Sequence, residues 1–165
     1  MLTAKWPSAI SAATGFTEAH TRHCIRRLRE AALLPTGPSP PPFTAREISR
    51  VLVGLCLTHL PTLAADVASL EAAPSRTVPT YGIDTAGDAL SAIVEDLIAC
   101  RVRALGAIEI NPEWIDVTLH TFTADGLPVV QRYGSGDTAR FALASATSVL
   151  PLTLVLSVAG ILHAR

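Results

Sequence analysis

The sequence predicts an α+β chain: an N-terminal helical module, middle helices, then a three-stranded antiparallel sheet closed by a final helix. Three observations lead there. Apolar residues recur at helical spacing through the front half and beyond it. Near residue 115 the period drops to two, the spacing of a half-buried strand. Proline and glycine clusters separate these blocks. With 165 residues, 49% of them hydrophobic and 16% charged, the chain can bury a core as one ordinary domain or two small ones. It is too short for a TIM barrel or a dinucleotide fold with a separate substrate domain.

Pro7 and Ser8 suit the first turn of a short helix carrying Ala9, Ile10, Ala12 and Ala13. Thr14-Gly15 breaks it, because glycine accepts the left-handed backbone that a sharp turn needs. Thr17 is the expected N-cap of a second, longer helix. Its buried face is Thr21, Cys24, Ile25, Leu28 and Ala32. Residues 35–42, PTGPSPPP, hold five prolines in eight positions and read as a stiff extended connector. Thr44 and Glu47 form a capping-box signature for a helix over 45–60, with an apolar stripe of Ile48, Val51, Leu52, Leu55 and Cys56. A further helix spans 62–73, between Pro61 and Pro74.

Residues 74–83 read as a linker. Asp84 is the expected cap of a helix over about 85–105, with Arg101 and Arg103 near its C-terminal end and Gly106 closing it. Ile115, Val117, Leu119 and Thr121 then alternate with polar residues, and Asp125-Gly126 signals a hairpin into a return strand from Leu127 to Tyr133. A third strand is expected over 140–149. From Phe141 to Leu162 there are 22 uncharged residues, long enough for a membrane helix. The scattered Ser and Thr and Pro151 favour a strand followed by a buried helix.

Charge is unevenly spread. Residues 1–60 carry seven basic groups against three acidic, a net of +4, while residues 61–165 carry six against eleven, a net of −5. Any polyanionic partner is therefore expected at the front. Aromatics are only 5% of the chain, which argues against stacking platforms for single strands. Cys24, Cys56 and Cys100 lie far apart, which is no disulfide framework and suits a reducing compartment. Residues 1–15 show no secretory signal, so a cytoplasmic location is expected.

Residues 10–34, ISAATGFTEAHTRHCIRRLREAALL, carry the most information. Ile10, Ala13-Thr14-Gly15-Phe16, Ile25, Leu28 and Leu33-Leu34 stand in register. This stretch resembles the helix-turn-helix core of winged-helix DNA-binding proteins of the IclR and MarR type. The resemblance implies duplex DNA binding by the second helix. A groove-entering helix needs an apolar back and a polar front rich in hydrogen-bonding ends. Thr17, Glu18, His20, Thr21 and Arg22 lie in its first turns, where base edges or phosphate are met, and His23 is a further expected DNA contact. Arg26, Arg27 and Arg29 are placed for phosphate. The family's wing, a hairpin after the Leu-Leu ending, is replaced here by the proline-rich connector and another helix. Ala32 stands where the family has glycine before Leu33, so the second helix is expected to run further.

The layout also resembles phage small terminase subunits, which implies a ring-forming DNA recogniser working with a packaging motor. The expected parts are a helix-turn-helix module over 1–60, a helix and linker over 61–83, and an oligomerising unit over 84–165. The expected role is non-enzymatic, sequence-specific binding of double-stranded DNA by a homo-oligomer, as a transcription regulator or phage component. The competing readings are the terminase-like ring and a protein-interaction or membrane-anchored adaptor.

His20, His23, Cys24, Cys56 and His59 offer soft metal ligands, but Cys24 and Cys56 sit on apolar stripes, so no metal is expected. Glu95, Asp96, Glu109, Glu113 and Asp116 lack a nucleophile, a phosphate loop or metal spacing beside them. No cofactor is expected.

Overall fold

The computed structural model describes residues 6–37, 41–76, 83–99, 105–111, 116–122, 125–134 and 148–163. The fold is α+β: among the described residues, six helices and a four-stranded antiparallel sheet. The helices are α1 (Trp6–Thr14), α2 (Glu18–Glu30), α3 (Ala45–Cys56), α4 (Leu63–Glu71), α5 (Ala86–Ile98) and α6 (Leu152–His163). The strands are β1 (Leu105–Asn111), β2 (Asp116–Phe122), β3 (Pro128–Tyr133) and β4 (Ser148–Pro151), in the order β3-β2-β1-β4.

Local chemistry explains the front helices. Gly15 takes φ +79 between α1 and α2. Thr17 caps α2, its Oγ1 accepting from the His20 backbone N–H at 3.2 Å. Thr44 and Glu47 complete a reciprocal capping box on α3. Helix α3 stops at Cys56, four residues short of the expected end, with Leu57 extended and its N–H bonded to the Gly54 carbonyl. Thr58 and Pro61 then disfavour further helix.

Helix α2 does not run on through Ala32. It ends at Glu30, and Ala32 itself takes the left-handed backbone at φ 56. The Leu33 N–H bonds the Leu28 carbonyl at 2.9 Å and the Ala32 N–H bonds that of Arg29 at 3.0 Å, the paired bonds of a Schellman ending. Alanine thus fills a place that favours glycine, at a cost of about 1 kcal/mol. Ala32→Gly is expected to raise stability by up to about 1 kcal/mol in urea unfolding, reduced by glycine's larger unfolded-state entropy.

The C-terminal half differs most from expectation. Thr85, not Asp84, caps α5, its Oγ1 accepting from the Asp88 N–H at 3.2 Å. Helix α5 ends at Ile98, and Arg101 and Arg103 lie outside the described residues. Gly106 closes no helix; it sits within β1, a strand the sequence reading does not expect. The register slips between Leu105 and Ala107, so Gly106 is the extra residue of a β-bulge. A Cβ there would lie 3.3 Å from the Phe122 ring. The expected hairpin is present, with β2 and β3 paired from Val117–Tyr133 to Phe122–Pro128 and Gly126 at φ +77. The expected third strand lies partly outside the described residues, and β4 pairs with β1, not with β3. The sheet is therefore not a simple meander: the chain leaves the β3 edge and returns at the opposite one.

Ile108, Ile110, Val117, Leu119 and Leu150 are buried in the sheet. Val155, Val158, Ala159 and Leu162 of α6 are also buried, and α6 packs on β1 and β4 as well as on α1, α3 and α5. One continuous core runs from Ile10 to Leu162. Among the described residues, no helix is long and apolar enough to cross a membrane.

Candidate nucleic-acid interface

Helix α2 is amphipathic, and its two sides do different work. Thr21, Cys24, Ile25 and Leu28 are buried against the helices behind it, α1, α3 and α4. These four are the expected inner face, and Ala32 is the exception, lying exposed beyond the helix end. Gly54 of α3 permits the close approach: a Cβ there would lie 2.7 Å from Cys24 Sγ.

Two of the nine expected contact residues belong to this docking side. Thr21 is fully buried, and its hydroxyl donates to the Thr17 carbonyl at 3.1 Å. His20 is half-buried and its Nε2 lies 3.0 Å from the Leu55 carbonyl, a bond that fixes the ring against α3. Its ring also stacks obliquely on Phe16, with centroids 5.7 Å apart. Spacing puts Thr21 on the inner face while its place in the first turns also makes it a contact candidate, and the structure keeps only the inner place; His20, one position before it, sits at the border of that face.

The remaining residues face outward or border the outer side. Thr17 is exposed at the cap. Glu18 is ion-paired with Arg22, whose side chain is 68% exposed. His23 is exposed, and Arg26 Nη2 lies 3.0 Å from its Nδ1. Arg26 and Arg27 share Glu30, at 3.6 and 3.1 Å. Four arginines against two glutamates leave α2 with a net charge of +2, held on mobile, solvated pairs of low individual worth. Arg29 is different. It is half-buried, its Nε is shut off from solvent, and its side chain has no hydrogen-bond or ion-pair partner among the described residues.

An open cavity of about 600 Å³ lies beside this face. Trp6, Pro7 and Ile25 line it with Arg22, Arg26 and Arg29. Sequence reasoning missed it, although the signal was present: Arg22, Arg26 and Arg29 follow i, i+4, i+7 spacing, which puts them on one strip of the helix. What spacing alone does not show is that the strip meets Trp6 at the start of α1.

The soft-ligand residues do not assemble. Burial, with Cys56 nearby, pushes the Cys24 thiol up to about 12, so without a metal it stays protonated at physiological pH. His59 lies beyond the end of α3 and is exposed, while Cys56 is buried. Among the described residues, no group of three or more His, Cys, Asp or Glu is placed to hold a metal ion. Elsewhere, Asp116 on β2 lies 3.5 Å from Arg76. Burial raises its carboxyl above the usual range, opposed by the charges of Arg76 and Arg132. That pair ties the segment after α4 to the sheet, together with the Arg76 N–H bond to the Arg132 carbonyl at 2.7 Å.

Compared with protein-family models, with curated proteins and with solved structures, the chain finds no match.

Proposed function

We propose that this protein binds duplex DNA without catalysing a reaction, presenting the outer face of α2 to the major groove. The observation that carries the reading is the division of α2 into a docked apolar back and an exposed basic front of Arg22, His23, Arg26 and Arg27. A recognition helix needs that division, because its scaffold must hold it rigidly while its front stays free. Thr17, Glu18, Arg22 and His23 occupy the first turns and take the base-reading role. Arg26 and Arg27 take phosphate, where charge matters more than identity. Thr21 and His20 hold the helix in place.

The protein acts as a homo-oligomer in this reading. Phe122, Val130 and Val149 are exposed on the sheet and leave apolar area uncovered. A dimer fits a regulator with two half-sites, and a larger ring fits a packaging component.

Selection from a random duplex pool at physiological salt tests the proposal, with the solution mass recorded alongside. A defined sequence is expected to survive competitor DNA. Arg22→Ala is expected to weaken that site by about 1–3 kcal/mol and relax its base preference. Arg27→Ala is expected to weaken all duplexes alike and reduce the salt slope by about 1. Absence of an enriched sequence, or two variants that bind like the parent chain, overturns the assignment. Retention on an acidic protein with no duplex preference would favour the adaptor reading.

A further inference from the structure

We infer that the cavity between the start of α1 and the outer strip of α2 is a binding site for a small organic anion: a flat apolar body bearing one carboxylate-type group. Its volume of about 600 Å³ falls within the range of small-molecule sites. Its walls divide by chemistry. Trp6, Pro7 and Ile25 form the apolar side. Trp6 is held by a tilted contact with the buried Phe43 ring, centroids 4.7 Å apart, so the wall is fixed before a ligand arrives. The other side carries Arg22, Arg26 and Arg29. The one acid on the lining, Glu30, is already engaged by Arg26 and Arg27. The site is thus cationic, which selects against neutral and cationic occupants.

Arg29 decides the placement of the anion. Arg22, Arg26 and Arg27 each have a glutamate within the same helix. Arg29 has none and is half-buried. Its Nε is shut off from solvent without an acceptor, which is costly, while its unpaired terminal nitrogens stay open to an incoming carboxylate, whose oxygens are the acceptors arginine matches. An aromatic body then lies against Trp6, where stacking and area burial act together. No step here depends on the DNA reading. Competition between ligand and duplex, which does rest on that reading, follows because Arg22 and Arg26 serve both.

Isothermal titration of the full chain, with no DNA present, tests the site. The probes are 4-biphenylacetate, its neutral counterpart 4-biphenylethanol, and acetate. The aromatic acid is expected to bind saturably at one site per chain. The alcohol and acetate are each expected to bind about tenfold more weakly or worse. Arg29→Gln is expected to weaken the acid by about tenfold and leave the alcohol unchanged. Arg22→Gln, on an exposed side chain that folding does not need, is expected to weaken the acid by a smaller factor. No saturable binding of the acid, equal binding of acid and alcohol, or two variants that bind the acid like the parent chain overturns the inference. If the acid binds while duplex selection fails, the site stands and the DNA reading falls. If selection succeeds and the acid does not bind, the reverse holds.

Discussion

Arg50→Met is expected to lower the unfolding free energy by about 3 kcal/mol, the largest loss from any single charge in the front half. Arg50 Nε donates to both carboxylate oxygens of Glu71, at 3.0 and 3.2 Å, and its Nη1 donates to the Leu33 carbonyl at 2.9 Å. One side chain therefore joins α3, the end of α4 and the turn after α2. Glu71 is only 7% exposed. Without Arg50 its carboxylate keeps Arg46 at 3.5 Å, and the Leu33 carbonyl loses this donor. The penalty comes from leaving a buried carboxylate with only the exposed Arg46 beside it, more than from losing an attraction. It should therefore be largely recovered in the double variant Arg50→Met, Glu71→Leu, which removes both charges. Urea unfolding with an unchanged slope measures both effects, and the single variant should melt about 6–12 °C lower. A single variant within about 0.5 kcal/mol of the parent chain would show that this three-way tie contributes little.

The second large effect is a change of sign. Gly54→Ala is expected to destabilise the chain by about 1–2 kcal/mol, although alanine is the better helix former by about 1 kcal/mol. The added methyl meets Cys24 Sγ at 2.7 Å, inside any real contact distance, and Leu28 Cδ1 at 3.4 Å. Cys24 is fully buried and has little room to yield. In a Cys24→Ala background the sulfur is gone, the methyl fills part of the space, and Gly54→Ala should become stabilising by about 0.5–1 kcal/mol. The coupling energy from the four-variant cycle is then about 2 kcal/mol. A coupling near zero would mean that α2 and α3 separate easily, and that α2 is less rigidly held than its proposed role demands.

The front half was legible because its signals are local. Thr17, Thr44 and Glu47 act within three residues of themselves, and Gly15 acts on its own backbone. Even the inner face of α2 followed from spacing, except that the helix stops before Ala32, which takes the left-handed backbone. The reason is tertiary: the Leu34 side chain is buried and Arg50 holds the Leu33 carbonyl, so the chain must turn there. The back half was less legible because strand partners are chosen at a distance. Ile108, Glu109 and Ile110 alternate as a strand should, but the run is short, and the expected helix extends almost to Gly106, just before it. Nothing local says that β4 crosses to β1. Among the candidate site residues, spacing puts Arg22, Arg26 and Arg27, all three exposed in the structure, off the inner face. It did not separate Arg29, whose half-burial depends on its surroundings across the cavity, or His20, whose partner is a carbonyl 35 positions on.

The packing of α6 on α1 has a consequence for how the chain reaches its native state. The helix that opens the described chain completes one of its contacts only with the helix that closes it. During synthesis α1 and α2 emerge before the other described elements and can form their turn, but the apolar side of α1 waits for α6, the last of the described helices to be made. Contacts so far apart in sequence close slowly, since the loop between them must lose its freedom first. For that interval the nascent chain carries exposed apolar surface, a state in which aggregation competes with folding.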